Sequence, residues 1–192
     1  MSRITLTKEN VDTYFYLEQL SSSTPLNGFS CSIAEYNDYL FNDALRSQND
    51  HVALTWLLRE RTNGKISAYM SLIADAIKLS TSEKEIHNLN YPFKTIPAIK
   101  IVKLAVSGTA QERYKGTGTY MIYSALAFAR VCNLQLLAAR FLTVDADVEH
   151  DSGVLAFYEK NGFIPNAELY NKKCNILLER LNNLIQRARR VN

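Results

Sequence analysis

Lys100-Ile-Val-Lys-Leu-Ala-Val106 leads through Ser107–Lys115 into Gly116-Thr-Gly118, which opens an apolar-faced run to Arg130. The first segment is β-rich, the second short and polar, and the third has the apolar recurrence of a long helix. A strand passing through a glycine turn into a helix presents backbone N–H groups that have no partner inside the helix. The helix dipole adds partial positive charge there. Gly116 and Gly118 remove the Cβ that would keep a phosphate away, and both can take positive φ. Arg113 and Lys115 stand just upstream with positive charge. A bare G-x-G also fits an ordinary strand-to-helix turn, so both readings stand on these residues alone.

The spacing Arg113-Tyr114-Lys115-Gly116-Thr117-Gly118 resembles the R/Q-x-x-G-x-G/A acetyl-CoA motif of the GNAT N-acetyltransferase superfamily, with Leu104-Ala105-Val106 as its preceding strand. The chain lacks G-x-x-x-x-G-K-S/T and the three-glycine dinucleotide pattern, which argues against nucleoside triphosphates and NAD. Downstream, Leu155-Ala-Phe-Tyr158-Glu-Lys-Asn-Gly162-Phe163 is similar to the superfamily's helix ending A-x-x-F-Y-x-x-x-G-F. The resemblance implies an α/β (α+β) GNAT fold. Its central sheet is mixed, mostly antiparallel and twisted, splayed at the acetyl-CoA site and flanked by helices. Residues 1–192 then form a single domain with a basic helical tail from about residue 181.

With 192 residues and 47% hydrophobic content, the chain can bury a substantial core. A net charge of +3 does not by itself demand nucleic acid. The N-terminus has no apolar signal core, and no stretch approaches the roughly 20 apolar residues of a membrane span. Cys31, Cys132 and Cys174 are odd in number and widely spaced, which reads as reduced thiols in a cytoplasmic protein. His51, His87 and His150 are too scattered for a metal site and read as surface residues.

Taken in order, residues 11–20 suit a short amphipathic helix. Ser32-Ile-Ala-Glu35 has the form of a capping box, with a helix to about Arg46. His51–Glu60 and Ile66–Leu79 read as strands joined by a Thr62-Asn63-Gly64 hairpin. Residues 80–96 read as a loop with at most one short turn. Strands are expected at Leu134–Ala138, Phe141–Val144 and about Tyr170–Leu178. Asp151 or Ser152 would cap a helix at 153–160, which Gly162 ends.

Amine acetylation needs a neutral amine, a polarised thioester carbonyl and a proton for the departing thiolate. Tyr158 is the candidate proton donor, the role that the resemblance implies for a Tyr at this position. Backbone N–H groups of Leu104–Val106 would hold the pantetheine arm and the carbonyl oxygen. The resemblance extends cofactor contacts across Arg113, Tyr114, Lys115, Gly116, Thr117, Gly118 and Thr119. Asp151 stands where many relatives carry an Asn that touches the cofactor. The central strand carries no carboxylate, only Lys100 and Lys103. An α-amine of pKa about 8 needs no carboxylate base, unlike a lysine amine near 10.4, so an α-amine acceptor is favoured. Lys100 and Lys103 either meet substrate phosphates or solvate a strand end.

Asn27-Gly-Phe29-Ser-Cys31-Ser-Ile-Ala-Glu-Tyr-Asn-Asp-Tyr39-Leu40 resembles the F-x-C-G-x-x-x-L-N-x-Y-L segment of TacT-type GNAT toxins. Ile96-Pro97 through Lys103-Leu-Ala-Val106 resembles their I-P-x-x-x-L-x-R-L-A-V, with Lys103 in place of Arg. This branch implies acetylation of the α-amino group of aminoacyl-tRNA, which blocks translation. It also implies a small DNA-binding antitoxin as partner and is compatible with a homodimer. Arg46, Lys100, Lys103, Arg113 and the Arg187–Arg190 tail would then track tRNA phosphates. The alternatives are a housekeeping GNAT acting on a protein N-terminus or small amine, and a non-catalytic CoA-binding GNAT fold.

Overall fold

The computed structural model describes residues 3–26 and 28–166, and the backbone of 173–177. The first elements are β1 (Ile4–Thr5), α1 (Val11–Tyr14), β2 (Phe15–Gln19), α2 (Ala34–Asp38), a π-type segment Tyr39–Asp43 and α3 (Ala44–Asn49). Next come β3 (Leu54–Glu60), β4 (Ile66–Ile77), α4 (Thr81–Ile86), β5 (Ile96–Val106), α5 (Gly108–Arg113) and β6 (Tyr114–Lys115). The chain continues with α6 (Thr117–Gln135), β7 (Phe141–Asp145), α7 (Val154–Lys160), β8 (Ile164–Pro165) and β9 (Lys173–Leu177). These residues divide into two compact units. One runs through Ile73 and includes Val102–Ser124; the other takes in Ala74–Ile101 and the described residues from Ala125 onward.

In the first unit the strand order is β2-β3-β4-β5. β2 and β4 both run antiparallel to β3, with Gln19 opposite Trp56 and Leu57 opposite Tyr69. The hairpin turns at Gly64, whose φ of +67° suits glycine. Leu20, Phe29, Leu40, Ala44, Leu57, Ile66, Tyr69 and Ala105 form the core of this unit. The Tyr69 phenol donates to the Tyr36 carbonyl at 2.7 Å, and burial pushes its pKa up. Residues 11–20 are one helical turn followed by β2, not a helix. The run Tyr-Phe-Tyr-Leu is β-prone, and pairing with β3 outweighs its weak helical spacing. Nor does Ser32 cap α2, whose first turn begins after Ile33 without a side-chain cap. Asn37 takes over by folding back on Cys31, accepting from its N–H at 2.8 Å and donating to its carbonyl at 2.9 Å.

The second unit has the order β4-β5-β7-β9-β8. β5 and β7 are parallel, with Ala98 opposite Phe141 and Ile101 opposite Val144. β9 is antiparallel to both β7 and β8. The architecture is therefore mixed α/β, a mostly antiparallel sheet with helices. Leu134–Ala138 is not a strand, because α6 continues to Gln135. Beyond it the Asn133 amide donates to the Ala139 carbonyl at 2.9 Å, closing the helix end. Leu134, Leu136 and Leu137 are exposed, so their apolar character did not mark a buried strand. Residues 80–96 contain α4, with a true capping box. The Ser80 hydroxyl accepts from the Glu83 N–H, and the Glu83 carboxylate accepts from the Ser80 N–H. The basic tail from residue 181, Arg187–Arg190 included, lies outside the described residues.

His87 is buried, not on the surface. It packs edge-on to Phe141 at 5.6 Å beside the cluster of Ile77, Leu79, Leu89, Ile96 and Ala98. Its Nδ1 finds no hydrogen bond among the described residues. Burial first, and then the Arg140 charge, lower its pKa below the ordinary value, with Glu83 opposing. A depressed histidine pKa contributes stability above the unfolded value of about 6.5, and that stability is lost as pH falls through the folded value. Denaturant unfolding should show stability declining below about pH 6.5, a decline that His87→Gln flattens. An equal slope in the variant would assign the acid sensitivity to other groups.

Candidate functional site

The turn before α6 is built entirely within the first unit. β5 ends at Val106, and Ser107 turns the chain. Its hydroxyl accepts from the Ala110 N–H at 3.2 Å, and its N–H donates to the Ser67 carbonyl at 2.8 Å. The expected polar connection is in fact a short helix, α5, followed by β6. Ser107 is the N-cap that the sequence reading passed over. β6 pairs parallel with β1, Ile4 opposite Tyr114 and Thr5 opposite Lys115. Tyr114 points inward, edge-on to Phe15 at 4.8 Å, while Arg113 and Lys115 point outward.

Gly116 follows with φ +101°, a conformation that strains any residue with a Cβ. Gly118 lies within α6 and supplies absence of bulk only. The first helical bond of α6 runs from the Tyr120 N–H to the Gly116 carbonyl at 2.9 Å. The N–H groups of Thr117, Gly118 and Thr119 precede it and have no carbonyl within the helix to meet. Thr117 is 3% exposed, and its Oγ1 is buried with no hydrogen-bond partner among the described residues. This buried hydroxyl and the three amides at the head of a 19-residue helix make a donor set that fits an anion.

Of the expected strand contacts, Ala105 faces the core, while Leu104 and Val106 are half-buried on the opposite side. The Val106 carbonyl accepts from the Gln111 side chain at 3.2 Å. Arg113 is committed to Glu60, Nη1 to Oε2 at 3.1 Å. Glu60, in β3, was not singled out in the sequence because nothing local marks a strand-end glutamate as buried. Lys103 lies over the rings of Tyr36 at 4.3 Å and Tyr39 at 5.9 Å, a cation–π clamp joining β5 to α2 and the π-type segment. π-type segments cluster at functional sites. Arg46 makes an exposed pair with Asp50 at 3.7 Å.

The second unit holds the remaining candidates. Lys100 pairs with Asp145 at 2.6 Å, and its side chain is largely buried. Beside it the Thr143 hydroxyl donates to Asp75 on β4 at 2.7 Å. Asp75 is a carboxylate on the strand preceding β5, legible in the Ile66–Leu79 run and overlooked there. The Asp151 carboxylate accepts from the Gly153 N–H at 2.8 Å, steering the chain into α7, whose N-cap is Gly153 and not Asp151 or Ser152. Gly162, φ +86°, ends the helix, with the Phe163 N–H donating to the Tyr158 carbonyl at 3.0 Å. Tyr158 is 6% exposed, edge-on to Phe157 at 5.2 Å and to Phe163 at 5.1 Å. Among the described residues, no group of three or more His, Cys, Asp or Glu could hold a metal ion, and no helix is long and apolar enough to cross a membrane.

No protein-family model matches the sequence, and neither does any curated protein sequence. Solved structures do match. AtaT complexed with acetyl-methionyl-tRNAfMet superimposes with a TM-score of 0.78 at 19% identity, covering 89% of this chain and 99% of AtaT. A tyrosine-to-phenylalanine variant of KacT gives 0.76 at 16% identity, covering 89% and 99%. A tyrosine-to-phenylalanine mutant of the AtaT toxin, bound to the C-terminus of the antitoxin AtaR and acetyl-CoA, gives 0.71 at 17% identity, covering 90% and 98%. The chain has the GNAT fold. That GNAT fold extends over nearly the whole of each matched chain, so no large part of those proteins lacks a counterpart here.

Proposed function

We infer that the protein is an acetyl-CoA-dependent N-acetyltransferase whose acceptor is the α-amino group of aminoacyl-tRNA. The observation that carries the cofactor reading is the orphaned Thr117 hydroxyl behind the positive-φ Gly116, at the head of α6. Its support is a diphosphate's need for donors: the amides of Thr117, Gly118 and Thr119, the Thr117 Oγ1, and charge from Arg113 and Lys115. When bound, acetyl-CoA supplies an acetyl group activated as a thioester, with its thiol as leaving group. The Leu104–Val106 backbone is suited to steady an acyl carbonyl oxygen. Tyr158 holds a phenolic proton for the departing sulfur, and Asp151 contributes from the turn before α7. The amine nitrogen forms the new C–N bond as the C–S bond breaks, and the amine's surplus proton passes to solvent.

The acceptor follows from what the strand carries. Lys103 and Lys100 are the charged residues of the central strand, the Asp75 carboxylate on the strand before it is engaged by the Thr143 hydroxyl at 2.7 Å, and an α-amine is already substantially neutral near pH 8. AtaT, with the same fold, is solved with acetyl-methionyl-tRNAfMet, and AtaT–AtaR is solved on DNA. A small DNA-binding antitoxin and a cytoplasmic location belong to the same reading. Titration calorimetry with CoA should give a single saturable event. Incubation with acetyl-CoA and a charged tRNA mixture should add one acetyl group, by mass spectrometry, to the aminoacyl end. Heat on CoA binding with acetylation only of peptides or small amines would leave the cofactor reading and remove the tRNA one.

A further inference from the structure

We propose that Glu60 is a positioning residue for Arg113, fixing its guanidinium where the turn before α6 takes the diphosphate of the acyl donor; this rests on the acetyl-CoA reading above. Everything involved lies in the first unit. The Glu60 side chain is 4% exposed, while that of Arg113 is 55% exposed. Its carboxylate accepts from Arg113 Nη1 at 3.1 and 3.3 Å, from the Asn63 amide at 2.9 Å and from the Ser67 hydroxyl at 3.3 Å. Asn63 is itself locked into the hairpin turn, where its Oδ1 accepts from the Lys65 N–H at 2.8 Å. The β3–β4 hairpin thus holds the carboxylate, and the carboxylate holds the arginine.

Two effects of opposite sign compete. Glu60 cancels part of the Arg113 charge, which weakens attraction for an anion. It also orders a long, half-exposed side chain before any ligand arrives, which removes an ordering cost at binding. Burial decides between them. If Arg113 left for the diphosphate, a nearly inaccessible carboxylate would remain without its cation, the expensive outcome for a broken buried pair. Arg113 therefore stays and acts from its place. The bonds to Glu60 use Nη1, and its Nε and Nη2 donors make no hydrogen bond among the described residues. Tyr114 supports the guanidinium from below, ring centre to Cζ 5.1 Å.

The test compares affinities for CoA and for pantetheine, which lacks the diphosphate and nucleotide, each by competition against acetyl-CoA. Glu60→Gln keeps the side chain's shape and should weaken CoA binding about threefold to tenfold, the range set by ordering one such side chain. Pantetheine should bind the variant as it binds wild type. Arg113→Ala should weaken CoA binding further, and the double variant should be no weaker than Arg113→Ala alone. CoA binding by Glu60→Gln that is unchanged or tighter overturns the inference, as does an equal loss for pantetheine. If Glu60→Gln does not fold, Ser67→Ala removes one bond that holds the carboxylate, and the same CoA-to-pantetheine ratio decides. Wild-type protein that binds no CoA at all removes the acetyl-CoA reading itself, and this inference with it.

Discussion

Tyr158→Phe is expected to lower kcat about 10²-fold, within the range for loss of a positioned general acid, with CoA affinity unchanged. The substitution deletes one oxygen and leaves the ring. That ring is what packs, edge-on between Phe157 and Phe163 just ahead of the Gly162 turn, so the helix end should survive. A phenol can give its proton to a thiolate leaving group as the C–S bond breaks. Loss of that proton slows the chemical step and not the binding of the donor. Single-turnover rates with acetyl-CoA, beside the melting temperature of each protein, separate the two. A variant that keeps most of its kcat would falsify the assignment and return Tyr158 to the core.

How far the sequence could be read depended on how local each cause was. Gly116 declared itself because a positive φ at a strand-to-helix turn is a property of the residue and its neighbours. Gly162 did likewise. The Thr62-Asn63-Gly64 hairpin and the strand ending in Leu104-Ala-Val106 were legible for the same reason. Residues 11–20 misled because six aromatic or aliphatic side chains in ten residues satisfy a helical spacing by chance, and only β3 as a partner decides the matter. Ser32 and Ser80 both head an S-x-x-E. The first loses its role to Asn37, which bonds Cys31 from six residues away, while the second keeps it. Leu134–Ala138 looked like a strand because exposed leucines read as core. In the candidate site, the residues of the turn were visible, but their engagements were not. Glu60 meets Arg113 across 53 residues, and Lys100 meets Asp145 only because β5 and β7 run side by side. Periodicity and spacing carry no information about such pairs.

Binding of aminoacyl-tRNA is expected to weaken about 7- to 12-fold between about 50 and 200 mM salt, the change for two phosphate contacts released together. Of the described candidates two remain for that role, since Arg113 is assigned to the diphosphate. Lys100 cannot be counted, because its side chain is largely buried and its ammonium is already held by Asp145 at 2.6 Å. Arg46 can be counted. Its bond to Asp50 spans 3.7 Å with both side chains mostly exposed, and such a pair contributes under about 1 kcal/mol, too little to hold it from a phosphate. The Lys103 ammonium lies over two half-exposed rings, where a phosphate can share it. Arg46→Ala should therefore reduce the slope of log K against log salt by about one unit, and Lys100→Ala should leave it as it was. A slope near zero in the wild-type protein, with acetylation intact, would mean that the acceptor carries no phosphate backbone. The α-amine would then belong to a peptide or a small molecule, with the same donor at the same turn.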